Sequence, residues 1–144
     1  MALVMDAAAL TDFLEREFPE VSGEFTILHV EADSITVQLN TGARHLRPGG
    51  TVSGPSMFGL ADVAMYLAVL AQIGPVALAV TTNCSIDFMR KPAAGVPVVA
   101  EARVLKLGRT LAVGDVLLRS GEAGPIVARA SLTYAIPPKK DGVK

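Results

Sequence analysis

The chain has no tryptophan, one cysteine, two histidines and only 5% aromatic residues among its 144 positions. A lone cysteine, Cys84, excludes an internal disulfide and suits a reducing, cytoplasmic setting. It has no His or acid cluster around it and reads as a small core residue. Two distant histidines and one cysteine cannot build a metal centre, so no metal site is expected. Charge is sparse and balanced, 13 Lys and Arg against 14 Asp and Glu, giving no electrostatic case for nucleic acid or an anionic membrane. P-loop, dinucleotide-glycine and HExxH signatures are missing as well. The opening "MALVMDAAALTDFLEREF" has no basic region and soon acquires acids, so it does not read as a signal peptide.

What the chain does have is apolar content: 51% of residues, with a mean hydropathy of +0.44. Its length suits one domain burying roughly 70% of its unfolded surface. So high a hydropathy implies that part of the apolar surface faces another subunit, in a homodimer or homotetramer.

Periodicity divides the chain. Leu10, Phe13, Leu14 and Phe18 are spaced as one helix face over Asp6 to Phe18, stopped by Pro19. Phe25 to Val30 and Ile35 to Asn40 alternate as strands, and "TGARHLRPGG" follows as a loop. A long apolar helix then runs to Gly74-Pro75; Asp62, Gln72 and that Gly-Pro pair interrupt it too often for a membrane span. Four strand-like runs follow: Ala77 to Arg90, Pro97 to Leu107, Thr110 to Leu118 and Ile126 to Ala135. In the first, Leu78, Val80, Cys84, Ile86 and Phe88 share one face and Thr81, Asn83, Ser85 and Asp87 the other. In the last, Ile126, Ala128, Ala130, Leu132 and Tyr134 point inward. Consecutive hairpins imply an antiparallel sheet wrapped on the single apolar helix, an α+β domain over residues 1–136 with a disordered tail at 137–144.

The helix carries the chemistry. Its start, "SGPS", places Pro55 at the first helical position with Gly54 as N-cap, so backbone donors and the positive dipole end are exposed there. That end is either a well-capped helix or a site for an oxyanion. Asp62 is the only formally charged side chain from Pro48 to Ile86, and it sits among Leu60, Ala61, Val63, Ala64 and Met65. A buried carboxylate is costly unless hydrogen-bonded, so Asp62 is either a structural acid or a functional one. Gly54 and Asp62 lie eight residues apart, about 12 Å along a helix. One helix cannot bring both to a single carbonyl, but two antiparallel copies can, so a shared site would lie between subunits.

The order of elements resembles the hotdog fold, and the loop and helix resemble the phenylacetate-degradation type of hotdog thioesterase, whose pattern is roughly N-x-x-G-x-x-H-G-G-x-x-x-x-L-x-D. Gly50, Gly54, Leu60 and Asp62 fall in register, and a later strand matches from Thr82 to Pro92 with Lys91 as one extra residue. The resemblance implies hydrolysis of acyl-CoA thioesters by a dimer or tetramer, with coenzyme A entering only as part of the substrate and no separate cofactor. Gly54 would offer its N–H to the thioester carbonyl, and Asp62 of the neighbouring subunit would act as general base or nucleophile. Thr81 is the candidate assisting hydroxyl, and Asn83 on the same strand face is a further substrate contact. The family's histidine is Ser53 here and its asparagine is Arg47, which points to a different acyl specificity. Met57, Phe58 and Tyr66 suggest an apolar or aromatic pocket, and Arg90, Lys91 and Arg109 are candidates for the phosphates of CoA.

Two other readings stay open. His45 stands nine residues before Gly54, the spacing of hotdog hydroxyacyl dehydratases, but their acid five residues after the glycine is replaced by Gly59; His45 then reads as a loop residue near the pocket mouth. His29 reads as a packed or edge residue. A non-catalytic acyl-CoA or aromatic-acid binding module is the other alternative, supported by Ser53 and Arg47.

Overall fold

The computed structural model describes residues 3–138, so most of the expected tail, 139–144, lies outside the described residues. Helix α1 (Ala7–Glu17) starts where the Asp6 carboxylate accepts the Ala9 N–H at 2.9 Å, and it buries Leu10, Phe13 and Leu14. Strands β1 (Phe25–Val30) and β2 (Ser34–Leu39) form a hairpin. Helix α2 (Gly54–Ile73) follows, then β3 (Val80–Phe88), β4 (Val98–Leu107), β5 (Leu111–Ser120) and β6 (Ile126–Ala135).

All pairings are antiparallel, in one six-stranded sheet ordered β1-β2-β4-β5-β6-β3. This is the hotdog architecture the sequence suggested. The sheet wraps α2, which touches all six strands and buries Leu60, Ala61, Ala64, Met65, Leu67, Ala68, Val69 and Leu70 almost completely. A helix apolar on every side is stable in water only when enclosed in this way. It has the length and hydropathy of a membrane span, but those properties serve the core here. At Gly114 on β5 the helix comes so close that a Cβ would meet the Met65 side chain and the Arg103 carbonyl oxygen at 2.3 and 2.5 Å. Only glycine fits. Gly74, at φ 99°, ends α2 in a conformation that side chains disfavour.

Two features of the fold position the site. The first is a bulge. β3 pairs with β6 in regular register except between Thr81 and Asn83, where one extra residue shifts the phase. Strict alternation had placed Thr81 opposite Cys84 and Ile86. The bulge instead turns Thr81 toward α2 while Cys84 and Ile86 remain packed on the core, and it leaves Asn83 exposed.

The second is the sheet edge. β3 is the last strand, and its outer side pairs with no strand among the described residues. Val80, Phe88 and Met89 are more than half exposed and Leu78 is 76% exposed, so the single face expected to join Leu78, Val80 and Phe88 with the core-packed Cys84 and Ile86 is corrected.

Candidate active site

Ser53, not Gly54, is the N-cap of α2. Its backbone is extended, and its hydroxyl accepts the Ser56 N–H at 3.3 Å and donates to the Ser56 hydroxyl oxygen at 3.1 Å. Gly54 therefore occupies the first helical position and Pro55 the second, one place later than the sequence suggested. The serine that replaces the family's histidine does helix-capping work. Gly54 opens into a groove of about 410 Å³, where Arg47, Phe88, Met89, Arg90 and Lys91 also gather. Loop, helix start and strand end thus bring three cations to one place. Among the described residues none of the three makes an ion pair. Arg109 is not with them: it flanks Ile73 and Val76 at the far end of α2, about 30 Å from Gly54 by helical rise.

Asp62 is half-buried and held by hydroxyls. Thr81 Oγ1 and Tyr134 Oη each lie 2.6 Å from its Oδ1, and Tyr134 Oη is also 2.9 Å from the Asp62 carbonyl oxygen. A phenol has one proton, and the short contact to the carboxylate takes it. No donor among the described residues reaches Oδ2. Among the described residues no Lys, Arg or His pairs with Asp62, and its contacts are neutral dipoles. Burial, and then the bond to Asp62 and its charge, push the Tyr134 phenol far above its ordinary range, so it remains a protonated donor. Burial and the Asp62 charge likewise raise the Cys84 thiol, which keeps it in the unreactive S–H form.

Asp62, Thr81 and Tyr134 line a cavity of about 370 Å³. Its remaining walls come from α1 and the segment after it (Leu14, Phe18, Val21, Phe25), from α2, and from the entry to β3. Tyr66 lines it too, but its hydroxyl donates to the Ala77 carbonyl at 3.0 Å. Burial and the nearby Glu17 charge raise this phenol to about 12. Phe58, 40% exposed on α2, lines neither this cavity nor the groove at the helix start, and Asn83 lines neither. Met57 belongs to the groove.

His45 is not at a pocket mouth. It is 7% exposed; its Nδ1 accepts the Gly42 N–H at 2.8 Å, and its Nε2–H donates to Glu24 at 2.9 Å. Arg44 pairs with the same Glu24 carboxylate, so this cluster pins the loop before α2 to the start of β1. Burial, and next the Arg44 charge, hold the imidazole below its ordinary value. His29 is an edge residue paired with Glu122, as its place on β1 suggested.

Sequence reasoning missed Tyr134 as a site residue. Its inward phase on β6 was legible, but that it meets Asp62 depends on where the sheet sets β6 against α2. It also missed the α1 wall of the cavity, which is far from Asp62 in sequence.

The antiparallel sheet wrapped on one enclosed helix is a hotdog fold, and the comparisons give the family that shares it. The thioesterase superfamily profile matches residues 49–127. A crystal structure from a Silicibacter species, described provisionally as a thioesterase, is 58% identical, with a TM-score of 0.89 over 96% of each chain. A variant of the phenylacetic acid degradation protein PaaI from Thermus thermophilus is 31% identical at a TM-score of 0.70, covering 83% of this chain and 99% of that one. Human acyl-coenzyme A thioesterase 13 is 28% identical over 82% of this chain and 84% of its own. The chain belongs to the thioesterase superfamily.

Proposed function

We propose that the protein hydrolyses acyl-CoA thioesters at a site between two copies of the chain. The observation that carries this reading is the Asp62 carboxylate, fixed through Oδ1 by Thr81 and Tyr134 with Oδ2 undonated beside an apolar cavity. Oδ2 either takes a proton from a water that attacks the thioester carbonyl or attacks that carbonyl itself. In the first case the C–S bond then breaks and the proton passes to the CoA sulfur. In the second, Oδ2 expels CoA, which leaves as the thiol with a proton from solvent, and water hydrolyses the resulting mixed anhydride to the free acid. Thr81 and Tyr134 act as positioning residues that aim Oδ2.

The oxyanion donor is the Gly54 N–H of the second copy. In one chain Gly54 and Asp62 line different cavities. The open β3 edge, with Val80, Phe88 and Met89 exposed, supports antiparallel pairing of β3 with the β3 of another copy. That pairing sets the two α2 helices antiparallel and turns each Asp62 toward the other helix start. The groove of Arg47, Arg90 and Lys91 then receives the phosphates of CoA next to the donating Gly54. The name of acyl-coenzyme A thioesterase 13 supports this substrate class.

The test is thiol release from a panel of acyl-CoAs by wild type and Asp62→Asn, with the oligomeric state measured in parallel. Turnover by a dimer or larger assembly, lost in the variant, is expected. Turnover that survives Asp62→Asn would sink the mechanism, and binding without turnover in both proteins would favour a carrier. A single turnover in ¹⁸O-water separates the two roles, because only nucleophilic attack leaves label in the Asp62 carboxylate.

A further inference from the structure

The cavity beside Asp62 carries one polar cluster in otherwise apolar walls. Its hydrogen-bonding side chains are Asp62, Thr81, Tyr134 and Tyr66; the first three bind one another and the fourth is committed to Ala77. The wall from α1 and the segment after it, Leu14, Phe18, Val21 and Phe25, is apolar, as are Leu78 and Val80 at the entry to β3. No side-chain donor or acceptor among the described residues remains there for a polar acyl tail. The volume, about 370 Å³, is near the lower end of the roughly 300–1,000 Å³ of ligand cavities.

From this we infer that the cavity admits uncharged, apolar acyl groups of bounded length, and that Phe18 and Val21 set the bound. This rests on the thioesterase reading of Asp62. Phe18 ends α1, with its ring edge-on to Tyr66 at 5.8 Å. Val21 follows after Pro19 and Glu20, and both Phe18 and Val21 are 37% exposed, so they form the rim rather than the buried floor. Val21 at such a rim can be enlarged or trimmed without disturbing the core of Leu10, Phe13 and Leu14, whereas Phe18 also packs on Phe13, ring centroids 6.4 Å apart, so its variant needs the folding control. A methylene entering the apolar part adds about fourfold to kcat/KM, until the chain reaches the rim. A terminal hydroxyl loses about 10²-fold against the methyl analogue at most. A terminal carboxylate loses more, because it would be buried without a partner.

The experiment measures kcat/KM for straight-chain acyl-CoAs from acetyl to palmitoyl, with ω-carboxyacyl-CoAs of matched length. It covers wild type, Val21→Trp, Val21→Ala and Phe18→Ala, with melting temperatures to confirm folding. A rise with length to a maximum is expected, with the ω-carboxy series at least 10²-fold lower. Val21→Trp lowers the long-to-short ratio more than tenfold, and the two alanine variants raise it. A flat profile, equal rates for ω-carboxy substrates, or ratios unmoved by all three variants would overturn the inference. Non-hydrolysable acyl-CoA thioethers give the same length series as dissociation constants. A length-dependent Kd in a protein without turnover would uphold the cavity assignment while refuting hydrolysis.

Discussion

Two acids in this molecule sit in pockets of side chains, and they are treated in opposite ways. Glu24 faces Arg44 and His45, so its charge is neutralised and both oxygens are engaged in closing a loop. Asp62 faces two hydroxyls, has no charged partner among the described residues and keeps one oxygen clear of donors beside a cavity. A carboxylate satisfied by cations is used up in structure, whereas one oriented by neutral dipoles remains available as a base or nucleophile. The cluster containing a histidine is therefore the structural one, and the acid without a charged partner is the candidate for chemistry.

The contrast can be broken most severely at Asp62. Asp62→Asn keeps the shape of the carboxylate, and we expect kcat to fall about 10³-fold, as loss of a general base does, while the melting temperature holds or rises. Glu24→Gln should do the reverse: a stability loss of about 1–3 kcal/mol by denaturant titration, with kcat retained in the folded protein. Tyr134→Phe sharpens the comparison from the other side. Removing one of two donors to Oδ1 should cost about tenfold in kcat with KM little changed, and Thr81→Ser, which keeps its hydroxyl, should cost less. The smallest effect concerns pH. The His45 imidazole is held below its ordinary value of 6.5, so the folded chain takes up that proton less readily than the unfolded one. Its contribution is complete above 6.5 and is lost as pH falls below it. Thermal melts from pH 7.5 to 5.5 should fall more steeply for wild type than for His45→Gln.

Much of this was legible in the residues. β1 and β6 were read to the residue, and the other elements to within a few positions, because their patterns are clean. Asp62 was singled out because a charge in an enclosed helix needs an explanation. The misses share one cause, in that each depends on what lies opposite in space. Ser53 rather than Gly54 caps α2 because the serine hydroxyl reaches the Ser56 N–H. Arg47 joins Arg90 and Lys91 only when the loop folds back onto the end of β3, and Arg109 is carried to the other end of the helix. His45 looked available because sequence spacing cannot show that Glu24 waits beneath it.

The bulge in β3 takes up one residue more than the partner strand carries, and so lets Thr81 face Asp62 while Cys84 and Ile86 stay on the core. Deleting Thr82 would leave a strand that alternates without interruption, with Thr81, Cys84 and Ile86 on one face, and Thr81 would keep its place beside the acid. The extra residue is therefore slack in the strand, and a frame-preserving deletion of its codon is a milder event than a substitution of Thr81. Relatives one residue shorter there could hold the second hydroxyl in the same place.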